Sequence, residues 1–253
     1  MSNTENKNAW EKEHANAWVE RFGTPQDYAR KIAKDPLNIL GPLAEQLGDV
    51  EGKKILNVMG SNGNKAVALS LLGAEVTVVD FSQSNKAYAE QLAEEAKVSI
   101  NYVVEDVLKM TRDASFDIAI AEMGILHYFT DLASFFNMMV DVLKDGGTAI
   151  VRDFHPVSTK LIVSRGSTAK VRKHKVEGDY FDTALTEKSV SYGKYLEDET
   201  PEKVYLRNWT LGEIVTAAAQ SGFKIEALIE EPNLSSDVFD KGIPKTFILK
   251  MIK

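Results

Sequence analysis

Apolar and polar positions alternate along this chain with two different periods. Lys54–Met59 (KILNVM), Glu75–Val79 (EVTVV), Ile100–Val104, Phe116–Ala121 (FDIAIA) and Thr148–Phe154 are short apolar or β-branched runs, which predict strands. Between them, Lys65–Leu72, Ser82–Lys97 and Asp131–Leu143 repeat apolar positions at helical spacing. Gly73 stops the first of these helices, Ser82 is placed as N-cap of the second, and Gly146-Gly147 reads as a turn. Strands alternating with helices of this length predict a doubly wound, mostly parallel α/β sheet covered on both faces. A further helix over Leu211–Gln220 precedes two last strand patterns, Phe223–Glu230 and Thr246–Met251.

Two stretches depart from this rhythm. Residues 1–52 read as a helical N-terminal extension, with residues 53–253 as the domain proper. Trp10, His14 and Trp18 recur every fourth position and share a helix face, either as a stripe that docks on the domain or as a lid over a ligand. Thr24-Pro25 can open a helix that runs through Tyr28 to Ala33. Residues 156–208, an insertion after the fifth strand, are polar and locally basic (Arg165, Lys170, Arg172, Lys173, Lys175). Within them Ser189–Tyr195 and Lys203–Asn208 could pair as antiparallel strands.

The composition narrows the chemistry. With 253 residues the chain makes one large domain, or one with an appendage. It has no cysteine, which excludes disulfides, thiolate metal sites, iron–sulfur clusters and thiol nucleophiles. The net charge of −7 argues against a nucleic-acid partner. No apolar run reaches membrane-spanning length, and Met1–Asn8 is polar, so no membrane partner is expected and the cytoplasm is the simplest compartment. No spacing of His and acids suggests a metal site.

Chemistry gathers where strands end. Gly60-Ser61-Asn62-Gly63 follows the first strand and lets a ligand approach backbone, but it lacks the three glycines of a pyrophosphate cradle. Asp80 ends the second strand, where a carboxylate can accept both hydroxyl protons of a ribose. Asp106 follows the third, placed for an adenine exocyclic amine, and Glu122 ends the fourth, lining the same crevice. Three acids behind a glycine turn suit a ligand with a ribose, an adenine and a positive charge, and without phosphates.

Residues 54–154 resemble the core of class I S-adenosylmethionine-dependent methyltransferases, closest to the bacterial small-molecule group once called ubiE-like. KILNVMGSNG (54–63), AEVTVVDFS (74–82), EDV (105–107), FDIAIAEMGILHYF (116–129) and LKDGGTAIVRDFHP (143–156) carry the resemblance. It implies a seven-stranded Rossmann-like sheet with a final antiparallel strand, S-adenosyl-L-methionine as cofactor, S-adenosyl-L-homocysteine as product, and a small-molecule acceptor. It implies that Gly60, Asn62 and Gly63 line the methionine end. Asp80 would hold the ribose and Phe81 would lie against the adenine. Asp106 and the Val107 backbone would read the adenine edge, and Glu122, Met123 and Gly124 would floor the pocket. The chain departs from the family's Asp/Glu-x-Gly-x-Gly-x-Gly pattern: Asn57 stands for the acid, Met59 and Ser61 for two glycines.

Methyl transfer from a sulfonium asks mainly for alignment and exclusion of water, and for a base when the acceptor carries a proton. Among the four histidines, His127 (GILHYF) and His155 (RDFHP) follow the fourth and fifth strands, and Asp153 could orient His155. A backbone-bonded helix-start residue is the plainer reading of His127. Tyr128, Tyr180 and Trp209 could wall the acceptor. An NAD(P)-dependent oxidoreductase and a non-catalytic cofactor-binding module of the same fold are the competing functions; the acceptor and the oligomeric state are left open.

Overall fold

The central strands are apolar on both faces, so they need a helical layer on each side. In the computed structural model, which describes residues 15–165, 173–189, 203–232 and 242–253, they receive both. The extension forms α1 (Ala15–Phe22), α2 (Pro25–Lys34), α3 (Pro36–Leu40) and α4 (Leu43–Leu47). The domain follows as β1 (Lys54–Val58), α5 (Asn64–Leu71), β2 (Glu75–Asp80), α6 (Gln83–Glu95), β3 (Asn101–Val104), β4 (Phe116–Glu122), α7 (Leu132–Val142) and β5 (Leu143–Phe154). The insertion contains β6 (Ile162–Arg165), β7 (Lys173–Val176), β8 (Leu185–Ser189) and β9 (Lys203–Arg207). The chain closes with α8 (Leu211–Gln220), β10 (Lys224–Pro232) and β11 (Pro244–Ile252).

The seven-stranded sheet runs in the order β10-β11-β5-β4-β1-β2-β3. All neighbours from β5 to β3 are parallel, and β11 runs antiparallel to both β5 and β10. The order reverses between β1 and β4, and that switch point is where an open α/β sheet binds its ligand. On one face Ile55, Val78, Ile120 and Ile150 pack with Ile32, Leu40, Leu69 and Leu92 of the extension and of α5 and α6. On the other, Leu56, Ala119, Val151 and Phe247 pack with Phe135, Met139 and Ile214 of α7 and α8.

Local rules set the helix starts. Thr24 caps α2 by accepting from the Asp27 amide, with Pro25 at the first helical position, and Ser82 caps α6 by accepting from the Asn85 amide. Two expectations change. Gly146-Gly147 is no simple turn: it forms a bulge inside β5, where Phe116 pairs with Leu143 but Ile118 with Thr148, and the C-terminal Lys253 bonds both glycines. Lys203–Arg207 does pair antiparallel, with Leu185–Ser189; residues 190–195 of the expected partner segment lie outside the described residues. Trp10 and His14 also lie outside them.

Phe135 is among the largest fully buried side chains and sits between α7 and the sheet. Phe135→Ala should cost about 3–5 kcal/mol of unfolding free energy. Urea denaturation followed by circular dichroism measures this; a cost under about 1 kcal/mol would mean that this layer is loosely packed.

Candidate active site

Beyond β1 the chain turns through a loop with three left-handed residues: Met59 (φ 50°), Ser61 (φ 49°) and Gly63 (φ 74°). For Met59 and Ser61 that conformation costs about 1–2 kcal/mol each. The loop therefore keeps a glycine motif's backbone path although two of its glycines are gone. The remaining glycines are required by space. A Cβ on Gly60 would lie 2.6 Å from Asn57 Oδ1, and one on Gly63 would lie 2.6 Å from Ala89 Cβ. Asn62 is buried, and its Oδ1 accepts from the Asn64 amide at 3.3 Å. Asn57 is buried beneath Gly60, and its Oδ1 has no hydrogen-bond partner. An open acceptor under a tight loop suits a cationic or N–H-bearing ligand group.

Asp80 stands where the sequence placed it, at the end of β2, and it is buried. Its Oδ2 accepts from the Ser61 amide at 3.1 Å, and its Oδ1 from the Ser82 amide at 3.0 Å and Asn85 Nδ2 at 3.4 Å. Burial pushes the carboxyl up from its ordinary range, and these hydrogen bonds pull it back. Tyr102 on β3, which sequence reasoning missed, donates its hydroxyl to the Ser61 carbonyl at 2.7 Å. Burial and the Asp80 charge push this phenol up, so it stays protonated and a donor.

The extension reaches the same loop. Trp18 Nε1 donates to Asn85 Oδ1 at 2.9 Å, and Asn64 Nδ2 donates to the Tyr28 hydroxyl at 3.0 Å. Phe22 stacks on Tyr28 at 4.6 Å and on Trp18 at 5.9 Å. Phe81 is half-buried between β2 and α6. Asp106 lies after β3, where its Oδ1 accepts from the Leu108 amide at 3.0 Å. The Val107 side chain is in the core, so only its backbone can face a ligand.

Glu122 ends β4, as the strand pattern suggested, and it is ion-paired. Its carboxylate is held by Lys65 Nζ and Arg152 Nη1, both at 3.0 Å, and Arg152 Nε reaches Glu231 at 2.8 Å. Lys65 also donates to the Ile39 and Leu40 carbonyls of α3. Glu122 therefore ties the sheet to the extension. Met123 (φ 63°) and Gly124 (φ 85°) turn the chain sharply over the switch point, with Met123 exposed.

The two histidines separate. His127 sits on the 3₁₀ turn Leu126–Tyr128 and lines a small cavity with Phe154, Pro156, Asn208 and Trp209. Its ring lies 4.6 Å from that of Tyr128. Trp209 Nε1 donates to the Leu126 carbonyl at 3.0 Å, and β9 of the insertion packs on the same turn. Tyr180 accepts from the Leu211 amide at 3.0 Å, two residues beyond Trp209. His155 is no candidate base: it is buried, its Nδ1 accepts from the Val157 amide, and its Nε2 lies 2.8 Å from Glu230 Oε1, off hydrogen-bond alignment. Nor does Asp153 orient it. That carboxylate accepts from the amides of Gly124, Ile125, Leu126 and Phe154 at 2.7–2.9 Å and so holds the His127 turn.

A hollow of about 720 Å³ beside Gly73, Glu75, Ser99 and Asn101 lies at the opposite, amino end of the strands. The rule for open sheets places the ligand at the carboxyl end instead. Among the described residues, no group of three or more His, Asp and Glu is disposed to hold a metal.

Burial lowers the His155 pKa below its ordinary 6.5, and the Glu230 charge opposes the shift in part. A folded pKa below the unfolded one contributes stability above about pH 6.5 that is lost as the pH falls. The melting temperature should therefore drop between about pH 7.5 and 5.5, and drop less in His155→Gln. Equal slopes would show that His155 does not titrate with folding.

Comparison with known proteins bears on the family and the fold. Residues 56–151 match the family described as "Methyltransferase domain". The chain is 34% identical over 128 residues to the ubiquinone biosynthesis O-methyltransferase of Coxiella burnetii, covering 48% of this chain and 54% of that one. It is 33% identical over 108 residues to that of Bradyrhizobium, covering 43% and 42%. The chain thus spans about half the length of the curated relatives it matches. An S-adenosylmethionine dependent methyltransferase from Mesorhizobium loti superposes with a TM-score of 0.66 at 20% identity, covering 85% of this chain and 98% of that one. Magnesium protoporphyrin IX methyltransferase from Synechocystis, solved with bound cofactor, gives 0.62 at 12%, covering 100% and 98%. Residues 56–151 thus match a methyltransferase-domain family, and the chain shares the fold of S-adenosylmethionine-dependent methyltransferases of known structure.

Proposed function

We propose that this protein transfers the methyl group of S-adenosyl-L-methionine to an O, N or C atom of a small-molecule acceptor, releasing S-adenosyl-L-homocysteine. The observation that carries this reading is the loop over β1. Its backbone holds the left-handed path of a glycine motif, Gly60 and Gly63 leave no room for a Cβ, and the buried Asn57 oxygen beneath it has no partner. An acceptor placed there suits the cofactor's ammonium. Asp80 and Asp106, at the ends of β2 and β3, suit its ribose and adenine, with Phe81, Val107, Met123 and Gly124 around them.

The cofactor supplies an electrophilic methyl group; this chain's residues align the acceptor and exclude water. His127 is the one proposed base, on a turn that Asp153 and Trp209 hold rigid, with the end of the insertion roofing its cavity. The extension acts as the lid, because Trp18 and Tyr28 bond to Asn85 and Asn64, which flank the loop and the ribose acid. Amide hydrogen exchange across residues 15–34 should slow when S-adenosyl-L-homocysteine binds; equal exchange would return α1 and α2 to plain packing. No helix among the described residues is long and apolar enough to cross a membrane. The cytoplasm is the proposed compartment, and nucleic acid is not proposed as a partner.

The deciding experiment is a thermal shift with S-adenosyl-L-homocysteine beside NAD(P). At about 100 times its Kd the first should add about 2.7 kcal/mol of stability, and the second nothing. Asp80→Ala should weaken binding by about 1.5–3 kcal/mol. Stabilisation by NAD(P) alone would give the site to a dehydrogenase, and undiminished binding by Asp80→Ala would remove Asp80 from the ribose.

A further inference from the structure

Ser61 takes a backbone conformation that normally belongs to glycine, and each peptide flanking it is held by a different side chain. The peptide before it donates its N–H to Asp80 Oδ2 at 3.1 Å. The peptide after it accepts at its carbonyl from the Tyr102 hydroxyl at 2.7 Å. The φ and ψ of Ser61 lie between those two peptide planes, so the two bonds together fix both angles. We propose that Tyr102 is a positioning residue for the cofactor loop, the clamp that lets serine stand where the motif has glycine. The inference rests on the reading of this loop as the seat of S-adenosylmethionine.

Three observations support the clamp. Tyr102 is buried on β3, with its ring packed in the core on the α5–α6 side, so its hydroxyl cannot swing to another partner. Burial beside the Asp80 charge keeps the phenol protonated, and a phenol that must donate is the only form that can hold a carbonyl. The loop's other left-handed residue with a side chain has a restraint of its own: the Met59 amide donates to the Val79 carbonyl at 2.7 Å and its side chain packs on the core. The loop is thus held at each position where a glycine is missing. A glycine at position 61 would reach the same conformation with no clamp.

The test is calorimetric titration of S-adenosyl-L-homocysteine into the wild-type protein, Tyr102→Phe, Ser61→Gly and the double variant. Tyr102→Phe keeps the ring and removes only the donor. It should weaken binding about five- to tenfold, the factor expected for one ordinary hydrogen bond. Ser61→Gly sets the reference affinity of the unclamped loop, and the double variant should fall within about twofold of it. A purely structural tyrosine would give the same loss in both backgrounds, or a lower melting temperature with no loss of affinity; either overturns the proposal. Should Tyr102→Phe alone fail to fold, the double variant must fold and bind, and its failure overturns the proposal equally. Absence of binding by the wild-type protein would overturn the functional reading itself, a result distinct from any of these.

Discussion

Two buried carboxylates hold the carboxyl edge of this sheet together. Asp80 ends β2 and gathers the amides of Ser61 and Ser82; Asp153, near the end of β5, gathers four amides from Gly124 to Leu126 and at Phe154. Tight loops that leave a parallel sheet point N–H groups inward, where water does not reach, and each such group left bare would cost about 1–3 kcal/mol. A carboxylate is the most economical answer, since its oxygens accept several bonds at once and its charge strengthens each. The positions of the glycine loop and of His127 follow from these two residues.

A second polar layer joins distant parts of the chain through the same edge. Lys65, Glu122, Arg152 and Glu231 connect α5, β4, β5 and β10, and Lys65 extends the chain of contacts to α3. Removing one member of such a half-buried network leaves its partners' charges uncompensated, which costs far more than an exposed pair contributes. The extension is thereby fastened to the floor of the switch point as well as to the loop above it.

The architecture was legible because it rests on local signals. β-branched runs, Gly73 as a stop, Ser82 and Thr24 as caps and an acid at the end of β2 are each written within a few neighbouring residues. The site was legible only where its chemistry is local as well. Nothing near Ser61 announces that Tyr102, far along the chain, restrains it, and the missing glycines of the loop gave no sign that its backbone path survives. His155 looked like a base because Asp153 is its neighbour in sequence. Its true companion is Glu230 on another strand, while Asp153 turns to the opposite loop. The cations that Glu122 holds come from α5 and β5, so no short segment of sequence shows them. The pairing of β8 with β9 depends on a register that no short alternating segment can specify alone.

Among the described residues, the order of the seven-stranded sheet leaves two strands with an open side, β3 and β10. An open strand edge is a template on which another chain can add, and proteins that persist in solution blunt it. Here β3 is only four residues long, too short to recruit a stable partner strand. β10 is nine residues long and carries Leu228 and Ile229 part-exposed, but it also bears Lys224, Glu226, Glu230 and Glu231 and ends in Pro232. Charge repulsion between copies and the missing amide of the proline oppose edge-to-edge growth. The glutamates of this strand that lie against Arg152 and His155 thus also act as gatekeepers against aggregation.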